Sequence, residues 1–333
     1  MDILKFWQFL FYSSTHNSKM RKVKDFFWKP GMSVEDCVNS FGSLGYQAIE
    51  LAEAVKVILK MRASKSKIFL TFTSNMVTSG LRGFFAQLVK LNLVNVLVTT
   101  SGSIEEDIMK SLGENFEISN FSADDVQMHE RGENRIGNLS IRNESYMKFE
   151  DWMKKVLQKI YDKNKRISSW ELLREVGLSL NDENSILYQA AKNNVPIFCP
   201  GIADSSFGFQ LFMFQQKHKD FIVDTLEDMN KAITDLNFDE KKGLIALGGS
   251  ISKHYAIFSA LLSGGFDYAV YMTSSHPYSG SFAGATTNEA KSWGKIKDDA
   301  EAATVIGDVT INFPIMMCSV LDKLKREGLL END

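Results

Sequence analysis

The chain has 333 residues, 44% hydrophobic and 24% charged, with a formal net charge of −3 and a sequence pI of about 6.0. That size holds one large α/β domain or two modest ones, the composition excludes a disordered chain, and the charge excludes nucleic-acid binding through bulk charge. Three widely spaced cysteines (Cys37, Cys199, Cys318) form no CxxC pair, and the five histidines show no metal-ligand spacing, so neither a disulfide framework nor a metal site is expected.

Residues 1–32 read as an N-terminal helical arm, aromatic and basic, closed by Lys29-Pro30-Gly31. Its apolar stretch Ile3–Tyr12 falls short of the roughly 18 to 20 residues that span a bilayer, and no small-residue cleavage site follows it. The expectation is a cytoplasmic protein whose arm seeks a partner surface or is poorly ordered. Ser33 is placed to cap a helix with Glu35 and Asp36 in its first turn. A second helix is predicted over Tyr46–Met61, where Ile49, Ala52, Val55 and Leu59 recur at helical spacing.

From there the pattern alternates. Short apolar runs at Lys67–Phe72, Val94–Thr100, Val195–Phe198, Gly243–Leu247, Tyr268–Met272 and Val309–Phe313 read as strands. Between and after them, helices are expected over Met76–Leu91, Ile104–Leu112, Asp151–Asn164, Ser168–Val176, Glu183–Asn193, Phe221–Ala232, Ser252–Leu262 and Ile315–Glu327. Apolar strands divided by helices predict an α/β fold with a mostly parallel, doubly wound sheet, one domain over 33–333. No second core with its own linker and no internal repeat is evident.

In such sheets ligands bind beyond the carboxyl ends of the strands, and those ends here are polar and small. Thr73-Ser74-Asn75 opens a helix whose N–H groups could hold a phosphate; ordinary N-capping explains it as well. Gly248-Gly249 permits close approach of a ligand or simply a tight turn. No GxGxxG fingerprint is present. Glu105, Glu106 and Asp107 are expected to open a helix, where three acids suit the dipole or grip a ribose hydroxyl or an ammonium. Asp204 and Asp308 are single acids at strand ends, ribose ligands or caps. His254, on the turn after Gly248-Gly249, is a candidate base or a satisfied structural histidine. Lys295, in Ser292-Trp293-Gly294-Lys295-Ile296, stands beside a bulky aromatic. Desolvation there would free a neutral amine to form an imine, although most lysines are solvated surface charges.

In order, the motifs Thr73-Ser-Asn75, Val96-Leu-Val-Thr-Thr100, Glu105-Glu-Asp107, Asn134-Arg-Ile-Gly-Asn-Leu139, Lys148-Phe-Glu-Asp-Trp152, Leu247-Gly-Gly249 with Lys253-His254, Asp267-Tyr-Ala-Val-Tyr271 and Ser292-Trp-Gly-Lys-Ile296 resemble the deoxyhypusine synthase family. The resemblance runs from about residue 33 to the C-terminus. It implies a Rossmann-like, NAD-dependent aminoalkyl transferase, usually a homotetramer with shared sites. Such an enzyme oxidises spermidine and passes its aminobutyl group through an enzyme imine to a lysine of the translation initiation factor 5A precursor. By position, Lys295 is implied as the imine-forming lysine and His254 as the base. Ser74, Asn75, Thr78, Thr100, Ser101, Gly102, Glu106, Asp204, Ser274, Ser275 and Asp308 fall where the family holds NAD. Glu105, Gly249, Gly280, Ser281, Glu289 and Trp293 fall on the substrate side. The arm would suit a family segment that covers a neighbouring subunit's site.

Three positions depart from the pattern. Phe209 and Phe282 stand where the family has aspartates facing substrate ammonium groups, and Phe258 replaces an asparagine. Burying an ammonium without a counter-charge costs several kcal/mol, and a cation–π contact returns only about 0.5 to 2 kcal/mol. All three changes go to one residue type, which suits a remodelled pocket better than decay. Three readings follow: a deoxyhypusine synthase with an unusual pocket, a relative acting on small amines in the manner of a homospermidine synthase, or a non-catalytic activating subunit of a mixed tetramer. Retention of Lys295 and His254 argues against the last.

Overall fold

The computed structural model describes residues 21–234 and 240–330. Ile3–Tyr12 and the rest of 1–20 lie outside them. The described part of the arm, 21–32, is irregular rather than helical, held to the body by the Lys24 N–H on the Ser43 carbonyl (3.0 Å). Ser33 caps Val34–Phe41 as expected, in a reciprocal box: its hydroxyl accepts from the Asp36 N–H at 3.1 Å, and the Asp36 carboxylate accepts from the Ser33 N–H at 3.2 Å.

The strands in chain order are β1 Lys67–Thr71, β2 Val96–Val98, β3 Glu117–Ile118, β4 Glu133–Ile136, β5 Leu139–Arg142, β6 Arg166–Ser168, β7 Ile197–Phe198, β8 Ile222–Asp224, β9 Lys242–Leu247, β10 Phe266–Thr273 and β11 Ile296–Ile306. Six of them form the main sheet, in the order β7-β2-β1-β9-β10-β11, and every pairing is parallel. The order reverses between β1 and β9, which makes the sheet doubly wound and Rossmann-like, with its switch point at those two strands. Side chains alternate between two cores. Ile68 and Leu70 of β1, Ile245 and Leu247 of β9, and Val270 and Met272 of β10 face one, with helices Gln47–Ala63, Arg82–Lys90 and Val309–Arg326. Phe69, Leu244, Ala246, Ala269 and Tyr271 face the other, with helix Ser250–Leu261. A strand buried on both faces reads as a continuous apolar run, which is why β1, β2, β7, β9 and β10 were expected.

The sixth strand was not. Val309–Phe313 is the first turn of helix Val309–Arg326, capped by Asp308. Its buried residues Val309, Phe313, Met316, Met317, Val320 and Leu324 keep helical spacing through Pro314, and a five-residue apolar run cannot distinguish the two states. The sheet's edge is instead β11, whose acidic run at Asp298, Asp299 and Glu301 concealed it. Other expectations shift at their ends. The helix predicted from Asp151 begins at Asn143, and that predicted from Phe221 begins at Thr225 after β8. The run predicted from Met76 starts at Ser74 and passes through a π-helical stretch, Val77–Leu81, where Gly80 takes φ +107. A small antiparallel sheet, β3-β5-β4, and a parallel pair, β6 with β8, complete the strands; their short, polar runs do not stand out in the sequence.

Candidate functional site

The sequence-selected residues gather in two groups. The first lies at the carboxyl ends of β1, β2 and β7. The Ser74 N–H donates to the Thr100 hydroxyl at 3.1 Å, tying the two turns together. Gly102 is required by that approach, since a Cβ there would stand 2.8 Å from the Ser74 Cβ. Thr78 is buried, and its hydroxyl is within hydrogen-bond distance of the Ser74 carbonyl (3.0 Å) and the Glu106 carboxyl (2.5 Å). Ser101 bonds the Ile202 carbonyl (3.1 Å) and the Ser205 hydroxyl (2.6 Å), fixing the loop that presents exposed Asp204. Asn75 is exposed beside Thr73.

The acidic triplet does not open its helix. The helix is Ser101–Ser111, so Glu105, Glu106 and Asp107 sit in its second turn, buried. They also divide in role. Asp107 pairs with Arg82 at 2.5 Å and accepts from the Ser185 hydroxyl and the Leu187 N–H, which makes it a framework residue. Glu105 accepts from the Phe207 N–H at 2.9 Å. Burial, opposed by hydrogen bonds, raises the Glu105 carboxyl to about 7 and the Glu106 carboxyl to about 8.

Ser274, Ser275 and Asp308 stand at the ends of β10 and β11. The Ser275 N–H is turned to the Thr273 hydroxyl (3.1 Å), and the Asp308 carboxylate accepts from the Thr310 N–H at 2.8 Å, so the capping alternative holds for Asp308.

The second group surrounds a cavity of about 300 Å³ on the face of β10, lined by Tyr271 among others. Lys295, His254, Trp293, Glu289 and Phe282 all line it. Lys295 enters from the start of β11, not from a carboxyl end. A turn through Gly294 (φ +67) precedes it, its N–H donates to the Ala290 carbonyl (3.1 Å), and its carbonyl accepts from the Phe266 N–H (3.1 Å). With the backbone held on both sides, its Nζ reaches 5.0 Å from the Trp293 ring and 5.9 Å from the Phe282 ring. His254 lies in the second turn of helix Ser250–Leu261 rather than on a turn. Phe258, one helical turn on, stacks parallel to it at 6.0 Å, and Phe282 meets it edge-on at 5.4 Å. Desolvation, then the Lys295 charge, lower its pKa below the usual histidine value. Trp293 is 66% exposed, so the cavity opens to the surface.

Not all candidates join. Phe209 is 54% exposed beside Phe212 and lines no part of this cavity; nor do Glu105, Gly280 and Ser281. Gly280 and Ser281 are exposed loop residues. Gly249 is a packing glycine, since a Cβ would fall 2.4 Å from the Ala283 Cα. Three polar lining residues are not marked by the sequence: Lys253, whose only signal is adjacency to His254, Thr286, and Tyr271, hidden within an apolar strand. A larger cleft of about 470 Å³, lined by Arg166, Trp170, Arg174 and Lys231, lies at the amino end of β7 and holds none of the candidates. Among the described residues no cluster of His, Cys, Asp or Glu suits a metal ion, and no helix is long and apolar enough to cross a membrane.

The deoxyhypusine synthase family profile matches residues 36–320. A Thermoplasma acidophilum protein described as a probable deoxyhypusine synthase is 40% identical over 90% of this chain and 97% of its own. The deoxyhypusine synthase of Neurospora crassa is 37% identical over 90% of this chain and 89% of its own. A crystal structure assigned as a deoxyhypusine synthase of Entamoeba histolytica superimposes with a TM-score of 0.65 at 26% identity, covering 90% and 97%. The ternary complex of AgrE with ornithine and NAD+ shares the fold alone, with a TM-score of 0.52 at 12% identity over 84% of this chain and 34% of that one. With a profile spanning most of the chain and relatives matched over nearly their full length, this chain belongs to the deoxyhypusine synthase family of transferases.

Proposed function

We propose that this protein transfers an aminobutyl group from spermidine, in an NAD-dependent reaction, to a lysine of the translation initiation factor 5A precursor, in the cytoplasm and as a homotetramer. The observation that carries the proposal is the cavity that brings His254, on helix Ser250–Leu261, to Glu289, Trp293 and Lys295, which follow one another through a separate short helix and the turn after it.

The residues at the switch point fit a dinucleotide. Two strand-end turns meet through Gly102 and Ser74, which brings the starts of two helical runs together, with Glu106 buried in the second. Ser74, Asn75, Thr78, Thr100, Ser101 and Asp204 would hold it there, with Ser274, Ser275 and Asp308 at the ends of β10 and β11, beyond β9. When bound, NAD supplies the hydride acceptor and later the donor.

His254 would take the proton from the substrate ammonium, because hydride leaves a carbon beside nitrogen only when that amine is neutral. Its lowered pKa keeps it free to accept. The Lys295 amine would attack the oxidised carbon, whose bond to the secondary nitrogen then breaks so that the aminopropyl part leaves as 1,3-diaminopropane, and would carry the aminobutyl group as an imine, dividing one difficult transfer into two easier ones. Trp293 and Phe282 would supply an apolar wall beside that imine. Glu289, on the cavity wall, would hold a substrate ammonium.

Phe258 and Phe282 favour a second reading, transfer between small amines such as putrescine. They pack on His254, and among the described residues Glu289 is the one carboxylate that lines the cavity. One experiment separates the two. The protein is incubated with NAD, spermidine and the factor 5A precursor, with putrescine in a parallel tube. An aminobutyl mass gain on the precursor, absent with Lys295→Ala, supports the first reading. Homospermidine in the second tube with no gain on the precursor overturns it in favour of the second.

A further inference from the structure

Lys253, beside His254 in the sequence, is the cavity's other ammonium, and the roles above leave it unused. Its side chain is 1% exposed. Its Nζ donates to the Phe282 carbonyl at 3.2 Å and the Ala285 carbonyl at 2.9 Å. It lies 3.9 Å from the centre of the Tyr271 ring and 5.0 Å from that of Phe282. It forms no ion pair among the described residues. Desolvation lowers its pKa to about 8, opposed by the charge of Glu289.

A buried ammonium with only carbonyls and rings around it works against folding, and an apolar side chain of the same length would fill the space at less cost. What it achieves is local. Phe282 and Ala285 bracket the segment that walls the cavity opposite helix Ser250–Leu261. The Phe282 ring faces His254 and Lys295. Ala285 leads into Thr286, whose side chain accepts from the Glu289 N–H at 3.3 Å and so caps the short helix Thr287–Lys291. A single ammonium therefore holds the supports of both Phe282 and Glu289.

We propose that Lys253 is a positioning residue, whose ammonium pins the 282–286 segment as the wall over Lys295. The claim depends on the proposed transfer only for its rate measurement; its structural part is read without turnover. Lys253→Met keeps length and removes the donors. Amide hydrogen exchange in the 280–291 peptide should quicken by about ten- to a hundredfold, the range for losing hydrogen bonds to a charged donor. Exchange in β9 and β10 should not change, and the melting temperature should hold or rise. In the transfer assay kcat should fall at least about tenfold by the same measure, with a smaller change in KM. Lys253→Gln, which keeps a donor at shorter reach, should give an intermediate exchange rate, and serves if the methionine variant does not fold. Wild-type exchange in the 280–291 peptide of either variant overturns the proposal. So does faster exchange spread through the whole chain with a lower melting temperature, which marks an ordinary core residue. An inactive wild type with loosened variants would sink the transfer reading and leave this one standing.

Discussion

Glu106 and His254 carry opposite proton linkages. The Glu106 carboxyl is raised, chiefly by burial, from its ordinary 4.5 to about 8. A group that binds its proton more tightly when folded contributes stability below its unfolded value and loses it as pH rises to the folded value. Glu106→Gln should therefore match wild type in acid and exceed its melting temperature increasingly from about pH 4.5 to about pH 8. A gap that stays constant with pH would show that the carboxyl is not linked to folding. His254 runs the other way. Desolvation first, and the Lys295 charge second, lower its pKa from 6.5, so its stabilising effect is present above that value and lost as pH falls through the lowered one. Its imidazole resonances should titrate below 6.5, and in Lys295→Met the midpoint should rise towards it; an unmoved midpoint would remove Lys295 as a cause. Phe282→Asp tests the apolar pocket directly. A carboxylate there should lower the KM for spermidine by about tenfold or more, the worth of one charge-assisted hydrogen bond. No change would mean that the substrate ammonium lies elsewhere. At this scale the sequence marks Lys295, Trp293 and His254 as candidates, and the cavity brings the three together. Tyr271 was not legible, because a hydroxyl inside an apolar strand gives no sign of which face it meets.

Elements were legible where periodicity was long and opaque where it was short. Strands buried on both faces stood out as apolar runs. β11, with acids on its exposed positions, did not, and the five-residue run after Asp308 looked like the strand that β11 supplies. Asp308 decides that helix's start. Asp308→Ala should cost about 1 kcal/mol in chemical denaturation, the usual worth of an N-cap. If Asp308 also holds the cofactor, activity at subsaturating NAD should fall more than at saturation; an equal loss at both would leave the cap as its whole role. Gly249 is the other element-scale constraint. A methyl group there would meet the backbone of Ala283, so Gly249→Ala should destabilise by about 1 to 3 kcal/mol and displace the segment that Lys253 holds.

At the scale of the molecule, the doubly wound sheet puts the candidate cofactor residues from Ser74 to Asp204 on one side of the β1–β9 switch point, and Ser274, Ser275, Asp308 and the Lys295 cavity on the other. Glu105 and Phe209, expected beside the substrate, line none of that cavity, and Trp293 stands open at its mouth. In the proposed homotetramer a second subunit would complete each site, and sedimentation of the purified protein should then give the mass of four chains. Sharing of sites also predicts a genetic behaviour. Glu106→Ala and Lys295→Ala each damage a different group. If every complete site takes one group from each of two subunits, refolding the two inactive proteins together yields mixed assemblies in which some sites draw both intact groups from different chains. Mixing should then restore part of the activity that neither variant has alone. If each chain completes its own site, the mixture stays inactive.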